Sequence, residues 1–511
     1  MALDEQKLIG SAQQASSGSS ELAQLKGDLR PAPKYLPDVR IKDHGLAGWL
    51  RLARIIWAFF SFAFHLYLSD IKWLNRKQKS REERLRRQAV WLRERLIALG
   101  PTFIKIGQSL GTRVDILPIQ YTIELTKLQD EVPPFSNQEA MAIVEHELGA
   151  PAQTLFARID PHPIAAASLS QVYRAQLHTG EDVVIKVQRP RIAETVNLDI
   201  AILKNLSRLS QRYERFRGKV EWEGVLDEFG ATIFEEMDFV QEGRNAEEFR
   251  ENFRKWKEIY VPKIYWELTA RHVLTMQYIE GVKVTDIEGM HSFGVNPPDI
   301  NRLLSRTYLK QLLEDGFFHA DPHPGNLRVM KDGRLAFFDF GMVGRMTMEL
   351  QSRLVDCFFH IVEKDVPGLL IDLISLGFLK ADDPDDPELV PLVESLFTHY
   401  LNLKLRETQF QELAFDLADV MYKYPFRIPA RFTYILRALI TLEGIGIVID
   451  PEFNFFDTAK PFAKEFMLKR EARHLRNKII GKLVRGEDGQ IQWSKIWKLA
   501  KMAFKMYIQG R

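Results

Sequence analysis

Two short stretches of the chain combine residue types and spacings that suit phosphoryl transfer. The first, HADPHPGNL at 319–327, places Asp321 and Asn326 five residues apart, and the second, FFDFG at 337–341, contains Asp339. Transfer of a γ-phosphate requires a carboxylate near the attacking oxygen and further oxygen ligands that hold Mg²⁺ against the phosphates. The spacing is typical of a phosphotransfer catalytic loop followed by a D-F-G triplet. It predicts Asp321 as the catalytic carboxylate and Asn326 and Asp339 as metal ligands.

An ordinary turn is the alternative for the first stretch, because Pro, Gly, Asn and Asp are common turn residues. The D-F-G triplet at the expected separation argues against that alternative. A hairpin is predicted over LRVMKDGRLAFFD, 327–339, with KDG as its turn. Asn326 and Asp339 stand at the two ends of this hairpin, so the hairpin brings them together at the mouth of one site.

A lysine and a group of acids complete this set upstream. Lys186, in VVIKV, occupies the place of the lysine that contacts the α- and β-phosphates. An unpaired buried ammonium is unfavourable, so Lys186 needs an acidic partner. FEEMDFVQEG at 234–243 offers three: we predict Glu236 as the partner and catalytic acid, with Asp238 and Glu242 also facing the site on one helical face. Taken alone, this acidic stretch would suit a solvated helix surface.

The loop before the lysine strand lacks the glycines of a typical nucleotide loop. IAAASLSQV at 164–172 holds Ala165, Ala167 and Ser170 at the three glycine places, and only Val172 agrees with the usual pattern. Each Cβ restricts conformations with φ above zero and adds bulk where phosphates would lie. We therefore predict a loop that holds nucleotide in a pose unsuited to ordinary transfer to protein. The predicted nucleotide contacts are Ala165, Ala166, Ala167 and Ser168, with Met276 and Tyr278 in the strand-to-linker passage 274–281 where adenine would meet main-chain groups.

Six motifs in order, FIKIGQSLGTR, AAAS, VVIKV, EEMDF, HADPHPGN and DFG, resemble those of the UbiB-like (AarF-domain) atypical kinases. The resemblance is close over residues 100–345 and covers most of 45–460. IDPEFNFFDTAKPFA at 449–463 looks like the cyanobacterial and plastid branch. The resemblance implies a protein-kinase-like fold that binds ATP with Mg²⁺. It also implies a role in isoprenoid-quinone lipid biosynthesis or homeostasis, with pathway lipids or enzymes as partners, at a membrane surface.

The K-x-G-Q signature of that family falls on Lys105, Gly107 and Gln108. The resemblance implies a helix that packs over the active site, with Lys105 and Gln108 among the nucleotide-binding residues. Apolar residues at helical spacing form a stripe in the same stretch, and Gly107 and Gly111 suit a helix against which another element packs closely. An amphipathic helix with two incidental glycines is the alternative.

The stretch after the D-F-G triplet departs from ordinary protein kinases. The chain enters an apparent helix at 348–362, with no A-P-E triplet and no room for a long activation loop. A polypeptide substrate would lack its platform, so a small or lipid-like acceptor, or ATP hydrolysis coupled to movement, fits better. A nucleotide-gated scaffold that binds lipid or partner enzymes without useful catalysis is the second hypothesis. A small-molecule phosphotransferase of the choline-kinase kind is the third, and the K-x-G-Q helix counts against it.

The predicted elements give an α+β fold, two-lobed and protein-kinase-like, with an N-terminal helical extension and a mostly helical large lobe. Helices are predicted over 45–131, 135–150, 190–253 and most of the chain from 296, and strands over 164–188, 259–265 and 272–279. The predicted units are a disordered tail (1–40), an N-terminal helical extension with the K-x-G-Q helix (41–134), a small nucleotide-binding lobe (135–281), a large lobe with the catalytic and metal motifs (282–460) and a basic amphipathic helical tail (461–511).

Composition restricts the partners and the compartment. Lys plus Arg number 70 against 68 Asp plus Glu, and the net charge of +2 argues neither for nor against a polyanionic partner. We predict no nucleic-acid partner. The single cysteine, Cys357, excludes an intrachain disulfide and a thiolate zinc cluster, which favours a reducing compartment. Residues 1–30 contain no apolar signal core. Together with the membrane association that the resemblance implies, these features predict a protein on the cytoplasmic side, peripherally attached to a membrane.

Two segments, 55–68 and 493–507, are the candidates for that attachment. The apolar run at 55–68 is 14 residues long, whereas a bilayer span takes roughly 20, so it indicates no clear span. It suits a helix packed on a lobe, a helix lying on a membrane, or a span, in that order. The basic segment at 75–96 suits a solvated helix face better than an anionic-partner site. WSKIWKLAKMAFKMY at 493–507 suits an anionic membrane surface and a helix docked on the large lobe equally well.

Overall fold

The structure is a computed structural model and describes residues 44–70, 81–111, 117–128, 133–210, 222–363, 365–378 and 430–451, with scattered positions up to 465. The predictions for the tail 1–40, for residues 75–80 of the basic segment and for the helix at 493–507 lie outside the described residues. The helices are α1 (Gly45–Asp70), α2 (Arg81–Leu99), α3 (Pro101–Leu110), α4 (Ile119–Leu125), α5 (Asn137–Leu148), α6 (Ala152–Leu155), α7 (Ile192–Ser210), α8 (Trp222–Glu236), α9 (Phe239–Asn252), α10 (Ile287–Ser292), α11 (Pro297–Lys310), α12 (Met348–Glu363), α13 (Val366–Leu376) and α14 (Ala430–Ile449). The strands are β1 (Arg158–Ile159), β2 (Ala165–Ala166), β3 (Ser170–Gln176), β4 (Asp182–Gln188), β5 (Ile259–Tyr260), β6 (Val273–Gln277), β7 (Val282–Lys283), β8 (Phe317–His319), β9 (Leu327–Val329), β10 (Leu335–Phe337) and β11 (Val343–Arg345).

The first sheet is antiparallel and carries Lys186 in its centre. Its strand order is β1-β3-β4-β6, and the short β2 pairs with the start of β3. Side chains alternate along β4, so Val183, Ile185 and Val187 are fully buried under α5 while Lys186 faces the other side. Each fully buried Val or Ile contributes about 1.5–3 kcal/mol to folding. This buried face fixes the register, and the register sets the direction of Lys186.

A second sheet and a strand pair form the floor of the cleft. The second sheet has the order β5-β10-β9-β7, and β8 pairs with β11. The catalytic loop 320–326 leaves β8 and leads into β9, while the D-F-G segment leaves β10 and leads into β11. Phe249, Tyr308 and Phe337 are fully buried between this sheet and the helices α9, α11 and α14.

The N-terminal helices form a layer of their own on the small lobe. Buried side chains of α1, α2, α3 and α4 share one apolar core with α7 and α8. Arg51 of α1 donates to both carboxylate oxygens of the fully buried Asp199 at 2.7 Å and to the Leu99 carbonyl at 2.9 Å. Breaking a buried ion pair by removing one partner is strongly destabilising. The pair therefore holds α1 firmly along the domain.

The predicted fold class is confirmed: the chain has the α+β, kinase-like architecture that the motif order indicates. Both predicted hairpins form, with a turn at Gly180 (φ 89°) in the first and at Gly333 (φ 82°) in the second. The strand predicted over 259–265 is limited to Ile259–Tyr260, and β7, β8 and β11 were not foreseen. These strands are two or three residues long, which is too short to leave an alternating pattern in the sequence.

The apolar run at 55–68 belongs to a longer helix than the sequence indicated. The 26-residue α1 starts ten residues earlier, and its segment Gly45–Tyr67 is long and apolar enough to cross a bilayer, by length and composition alone. Only 11% of that window is buried. As expected, α1 packs on a lobe, but it does so through one face only, and its other face is exposed.

Candidate active site

The side chains predicted for the site meet in one place, with the exception of Asp238. They line a single cavity of about 1090 Å³. Ligand pockets in proteins measure roughly 300–1,000 Å³, so the volume suits a nucleotide with room for a second reactant. The predicted residues on its wall are Lys105, Gln108, Ala165, Ala166, Ala167, Ser168, Lys186, Glu236, Met276, Tyr278, Asp321, Asn326 and Asp339. Their proximity is observed, and their chemical roles stay predictions.

The catalytic loop is braced by bonds between its own groups. The Asn326 amide donates to the Asp321 carbonyl at 3.1 Å, and the Asn326 carbonyl accepts from the Phe338 N–H at 3.1 Å. His319 is fully buried, and its Nδ1 accepts from the Asp321 N–H at 3.2 Å. Burial lowers the pKa of His319, which keeps the ring neutral and Nδ1 available as an acceptor. The loop is therefore held in shape before any ligand binds.

Asp339 lies in the left-handed region at φ 64°, one of two non-glycine residues with positive φ in the described part of the chain. Strain of this kind clusters at functional sites. The Lys186 ammonium lies 3.4 Å from its carboxylate, and the Gly341 N–H donates to it at 3.4 Å. Burial would raise the pKa of Asp339, but Lys186, Lys105 and His319 outweigh it and lower the pKa. The carboxylate is thus ionised and aimed at the cavity.

The prediction that Glu236 pairs with Lys186 is wrong. The Lys186 ammonium contacts both carboxylate oxygens of Glu242 at 2.9 Å. Glu236 ends α8 and Glu242 lies in the first turn of α9, so the acidic stretch is two helices and not one. Asp238 is the N-cap between them and accepts from the Gln241 N–H at 2.9 Å, which is a local structural role. The sequence pattern did not indicate this break between α8 and α9.

Charge attraction keeps Lys186 protonated. Burial alone would lower the pKa of Lys186, but the attraction of Asp339 and Glu242 raises it above the ordinary value. Burial raises the pKa of Glu242 to about 7, against the attraction of Lys186. The ammonium is therefore available to phosphate oxygens near neutral pH.

Glu236 has a different partner, on the K-x-G-Q helix. The Lys105 ammonium of α3 lies 2.6 Å from Glu236 Oε2, and both side chains are about a tenth exposed. Gln108 donates to the Leu128 carbonyl at 2.9 Å. A Cβ on Gly107 would lie 2.3 Å from Leu128 Cδ1 and 2.8 Å from Leu96 Cδ1, which explains the glycine as a close-packing position. The N-terminal extension is thus fastened to the wall of the cavity.

An arginine after the lysine strand holds the alanine loop. The Arg189 guanidinium donates to the carbonyls of Ala167 (3.2 Å), Ser168 (3.2 Å) and Pro133 (3.0 Å). Its backbone N–H donates to the Leu169 carbonyl at 2.8 Å. The loop residues Ala165 to Ala167 have no positive φ, so their backbone needs no glycine. The loop is held by one side chain that also contacts the start of the small lobe.

The two residues predicted near adenine lie on the cavity wall, but part of their main chain is already engaged. Met276 is paired within the sheet with Val184. The Tyr278 N–H donates to the Asp182 carbonyl at 3.0 Å, and its ring lies under the Arg174 guanidinium. To accept a hydrogen bond from the Tyr278 N–H, adenine would have to displace the Asp182 carbonyl. The segment after Tyr278 is therefore the better place for adenine to bind.

The oxygen ligands present suit Mg²⁺ shared with phosphates. The described residues contain no group of three or more His, Cys, Asp or Glu that could hold a metal ion by themselves. Mg²⁺ in phosphotransfer sites uses one or two protein oxygens, with water and substrate phosphates completing the octahedron. Asp339 and Asn326 line the same cavity and supply such a partial set.

Sequence reasoning missed a cation on the far wall. Arg437 of α14 lies with Nη2 3.1 Å from Asp321 Oδ2. It stands 116 residues beyond Asp321 in a helix that carries no catalytic signature. Only tertiary packing brings the two together, so no local spacing rule could have found it.

Comparisons with known proteins agree with this geometry. Residues 127–371 match the ABC1 atypical kinase-like domain and residues 393–454 match the UbiB helical domain. The chain is similar to the uncharacterized Synechocystis protein sll1770, with 42% identity over 81% of this chain and 71% of that protein. It is 38% identical to the uncharacterized Synechocystis protein slr1919, over 89% and 79% of the two chains. It is also similar to the chloroplastic Arabidopsis thaliana protein ACTIVITY OF BC1 COMPLEX KINASE 7, with 39% identity over 88% of this chain and 67% of that one.

Both domain matches include residues that line the observed cavity. The kinase-like region contains the lysine strand, the catalytic loop and the D-F-G segment, and the helical region contains α14 with Arg437. The chain therefore belongs to the ABC1/UbiB family of atypical kinase-like proteins.

Proposed function

We propose that this protein is an ATP- and Mg²⁺-dependent atypical kinase or ATPase. The observation that carries the proposal is the meeting of Lys186, Asp321, Asn326 and Asp339 in one cavity. Lys186 would contact the α- and β-phosphates, and Asp321 would orient the attacking hydroxyl or water. Asn326 and Asp339 would hold Mg²⁺, which neutralises phosphate charge when it is bound.

The acceptor that fits this cavity is water or a small or lipid-like molecule. Strand β11 ends at Arg345 and α12 begins at Met348, so the described chain has no long activation loop after the D-F-G triplet. Ile123 and Thr126 of the N-terminal extension line the cavity beside Lys105 and Gln108. A polypeptide acceptor would meet that extension where other kinases leave an open platform.

A membrane surface is the setting that α1 supports. Arg51, Ser61 and His65 of α1 are half-buried on the docked stripe. Among the residues of α1 whose burial the structure describes, 45–67, the exposed face is aromatic and aliphatic, and Arg54 is its one charged side chain. The exposed large side chains are Leu46, Trp49, Leu50, Ile56, Trp57, Phe59, Phe60, Phe64 and Tyr67. A large exposed apolar patch on a helix that is held along a domain suits the lipid interface better than water.

The biological role that we propose is support of isoprenoid-quinone lipid biosynthesis or homeostasis at that surface. The support is the motif resemblance to UbiB-like proteins, together with the apolar face of α1 and a cavity larger than nucleotide alone requires. Quinone-pathway lipids or the enzymes that process them would be the partners.

Release of phosphate from ATP tests the enzymatic proposal. The wild-type protein and the variant Asp339→Asn would be assayed with Mg²⁺, with and without anionic vesicles that contain quinone-precursor-like lipids. We expect turnover by the wild type, stimulation by lipid, and loss of at least ~100-fold in the variant, because mutation of one group that stabilises transition-state charge typically has that effect. Equal turnover by both proteins would contradict the proposal.

A nucleotide-gated scaffold is the second candidate, and the alanine loop held by Arg189 favours it. In that case nucleotide would control lipid or partner binding without useful phosphoryl transfer. Nucleotide-dependent vesicle binding that survives Asp321→Asn, with no turnover by the wild type, would select the scaffold. Loss of both in the variant would select the enzyme.

A further inference from the structure

The guanidinium of Arg437 lies at the catalytic carboxylate, on an element outside the catalytic loop. Its Nη2 is 3.1 Å from Asp321 Oδ2, and the two side chains are 19% and 25% exposed. Its Nη1 lies 3.9 Å from the sulfur of Met342, just after the D-F-G triplet. Arg437 therefore stands between the catalytic loop and the D-F-G segment, where a γ-phosphate would be placed.

The helix that carries Arg437 is fixed at both sides of the cleft. Ala438, Leu442 and Ile445 of α14 are buried in the main core of the large lobe. On the opposite side, the hydroxyls of Tyr434 and Thr232 lie 3.0 Å apart, which ties α14 to α8. A side chain on such a rigid element is held in position for catalysis.

Four other lysines and arginines line the cavity, and three of them are already engaged. Lys186 is held by Glu242 and Asp339, and Lys105 is held by Glu236. Arg328 donates to carbonyls of its own loop, and the fourth, Lys283, is an exposed residue paired in register with Arg328 on β7. The catalytic loop 320–326 contains no lysine or arginine of its own. Of these cations, Arg437 is the one whose guanidinium lies beside the Asp321 carboxylate, where charge would develop on a transferring phosphoryl group.

We propose that Arg437 is a catalytic residue that binds the γ-phosphate and stabilises it during transfer. This inference rests on the proposed ATP-dependent function. In hydrolysis the water oxygen forms a bond to Pγ, the bond from Pγ to the β,γ-bridging oxygen breaks, and its electron pair leaves with ADP. The water proton passes through hydrogen bonds to phosphate or solvent. The planar fork of arginine can contact a phosphate oxygen and the Asp321 carboxylate together, which reduces repulsion between the two anions.

Two variants of α14 separate this role from a structural one. Arg437→Lys keeps the charge and the aliphatic stem but removes the fork, whereas Val448→Ala shortens an exposed side chain three turns away on the same helix. We expect Arg437→Lys to lower kcat by ~10³-fold, since arginines that stabilise transferred phosphoryl groups contribute 10³–10⁵. We expect Val448→Ala to stay within about threefold of wild type, because its side chain is exposed and does not line the cavity. In Arg437→Ala, added guanidinium salt at low millimolar concentration should restore part of the lost rate.

Nucleotide binding supplies an independent readout that does not require turnover. ADP lacks the γ-phosphate, so Arg437→Lys should weaken ATP binding several-fold and leave ADP binding unchanged, as measured by calorimetry with Mg²⁺. Equal weakening of both nucleotides, equal rate losses in the two variants, or faster turnover by Arg437→Lys would overturn the proposal, the last by showing an inhibitory contact. A wild type that binds ATP but does not hydrolyse it would contradict the proposed enzyme, and the comparison of ATP with ADP would still decide the role of Arg437.

Discussion

Two largely buried lysines at the cavity, Lys186 and Lys105, each pair with a different glutamate. The two ion pairs therefore have separate roles. The pair of Lys186 and Glu242 lies at strand β4, and the pair of Lys105 and Glu236 fastens the N-terminal extension. The residue types and the approximate place of these acids were predictable from the motif. The pairing was not, because a helix break at Met237 and Asp238 decides which glutamate faces which lysine.

Replacement of each glutamate tests these separate roles. Glu242→Gln removes the charge that holds Lys186, so kcat/KM for ATP should fall by roughly 100-fold, while the fold is retained because the amide keeps hydrogen-bonding capacity. Glu247→Gln is the matched control, since Glu247 lies on the same helix and accepts from the Trp266 indole at 2.8 Å. Loss of ATP turnover in Glu236→Gln with normal turnover in Glu242→Gln would contradict the assignment.

At the scale of elements, close packing places the K-x-G-Q helix over the cavity. Leu96 of α2 and Leu128 after α4 leave no space for a side chain at position 107 of α3. The pattern of glycines and apolar residues predicted such packing correctly. It did not reveal the elements that pack there, because the partners of a helix face depend on tertiary contacts at long separation.

A pair of glycine substitutions measures this packing. Gly107→Ala should destabilise the protein by about 1–3 kcal/mol through overpacking, and should raise KM for ATP as α3 shifts. Gly444→Ala in α14, where an added Cβ would meet nothing within 4 Å, should stabilise it by about 0.5–1 kcal/mol. Urea denaturation of both variants provides the free energies of unfolding. A Gly107→Ala protein as stable as the wild type would show that α3 is loosely packed.

At the scale of the molecule, α1 presents an apolar face beside a catalytic unit. The buried pair of Arg51 and Asp199 keeps α1 against the small lobe, so the geometry favours a helix lying in the membrane interface over one that crosses it. The sequence indicated an apolar run here. It could not indicate orientation, because Arg51 and Asp199 are 148 residues apart and each reads as an ordinary surface charge.

Vesicle binding tests whether the exposed face of α1 contacts the membrane. Trp57→Glu combined with Phe60→Glu should weaken binding to anionic vesicles by at least ~100-fold, since each buried aromatic contributes roughly 1.5–3 kcal/mol. Met348→Glu, at an exposed apolar residue on another helix, is the control and should bind as the wild type does. Sedimentation with vesicles measures both. Unchanged binding by the double variant would assign membrane contact to another part of the chain.

Calorimetric titration of ATP shows whether the cavity around Lys186, Asn326 and Asp339 is a Mg²⁺–nucleotide site. The wild-type protein should bind one ATP, at least ~10-fold more tightly with Mg²⁺ than with a chelator, because Asp339 and Asn326 would contact the nucleotide through the ion. Asp339→Asn should bind ATP with little dependence on Mg²⁺. If the wild type bound no ATP, or if both proteins showed the same Mg²⁺ dependence, the cavity would not be such a site.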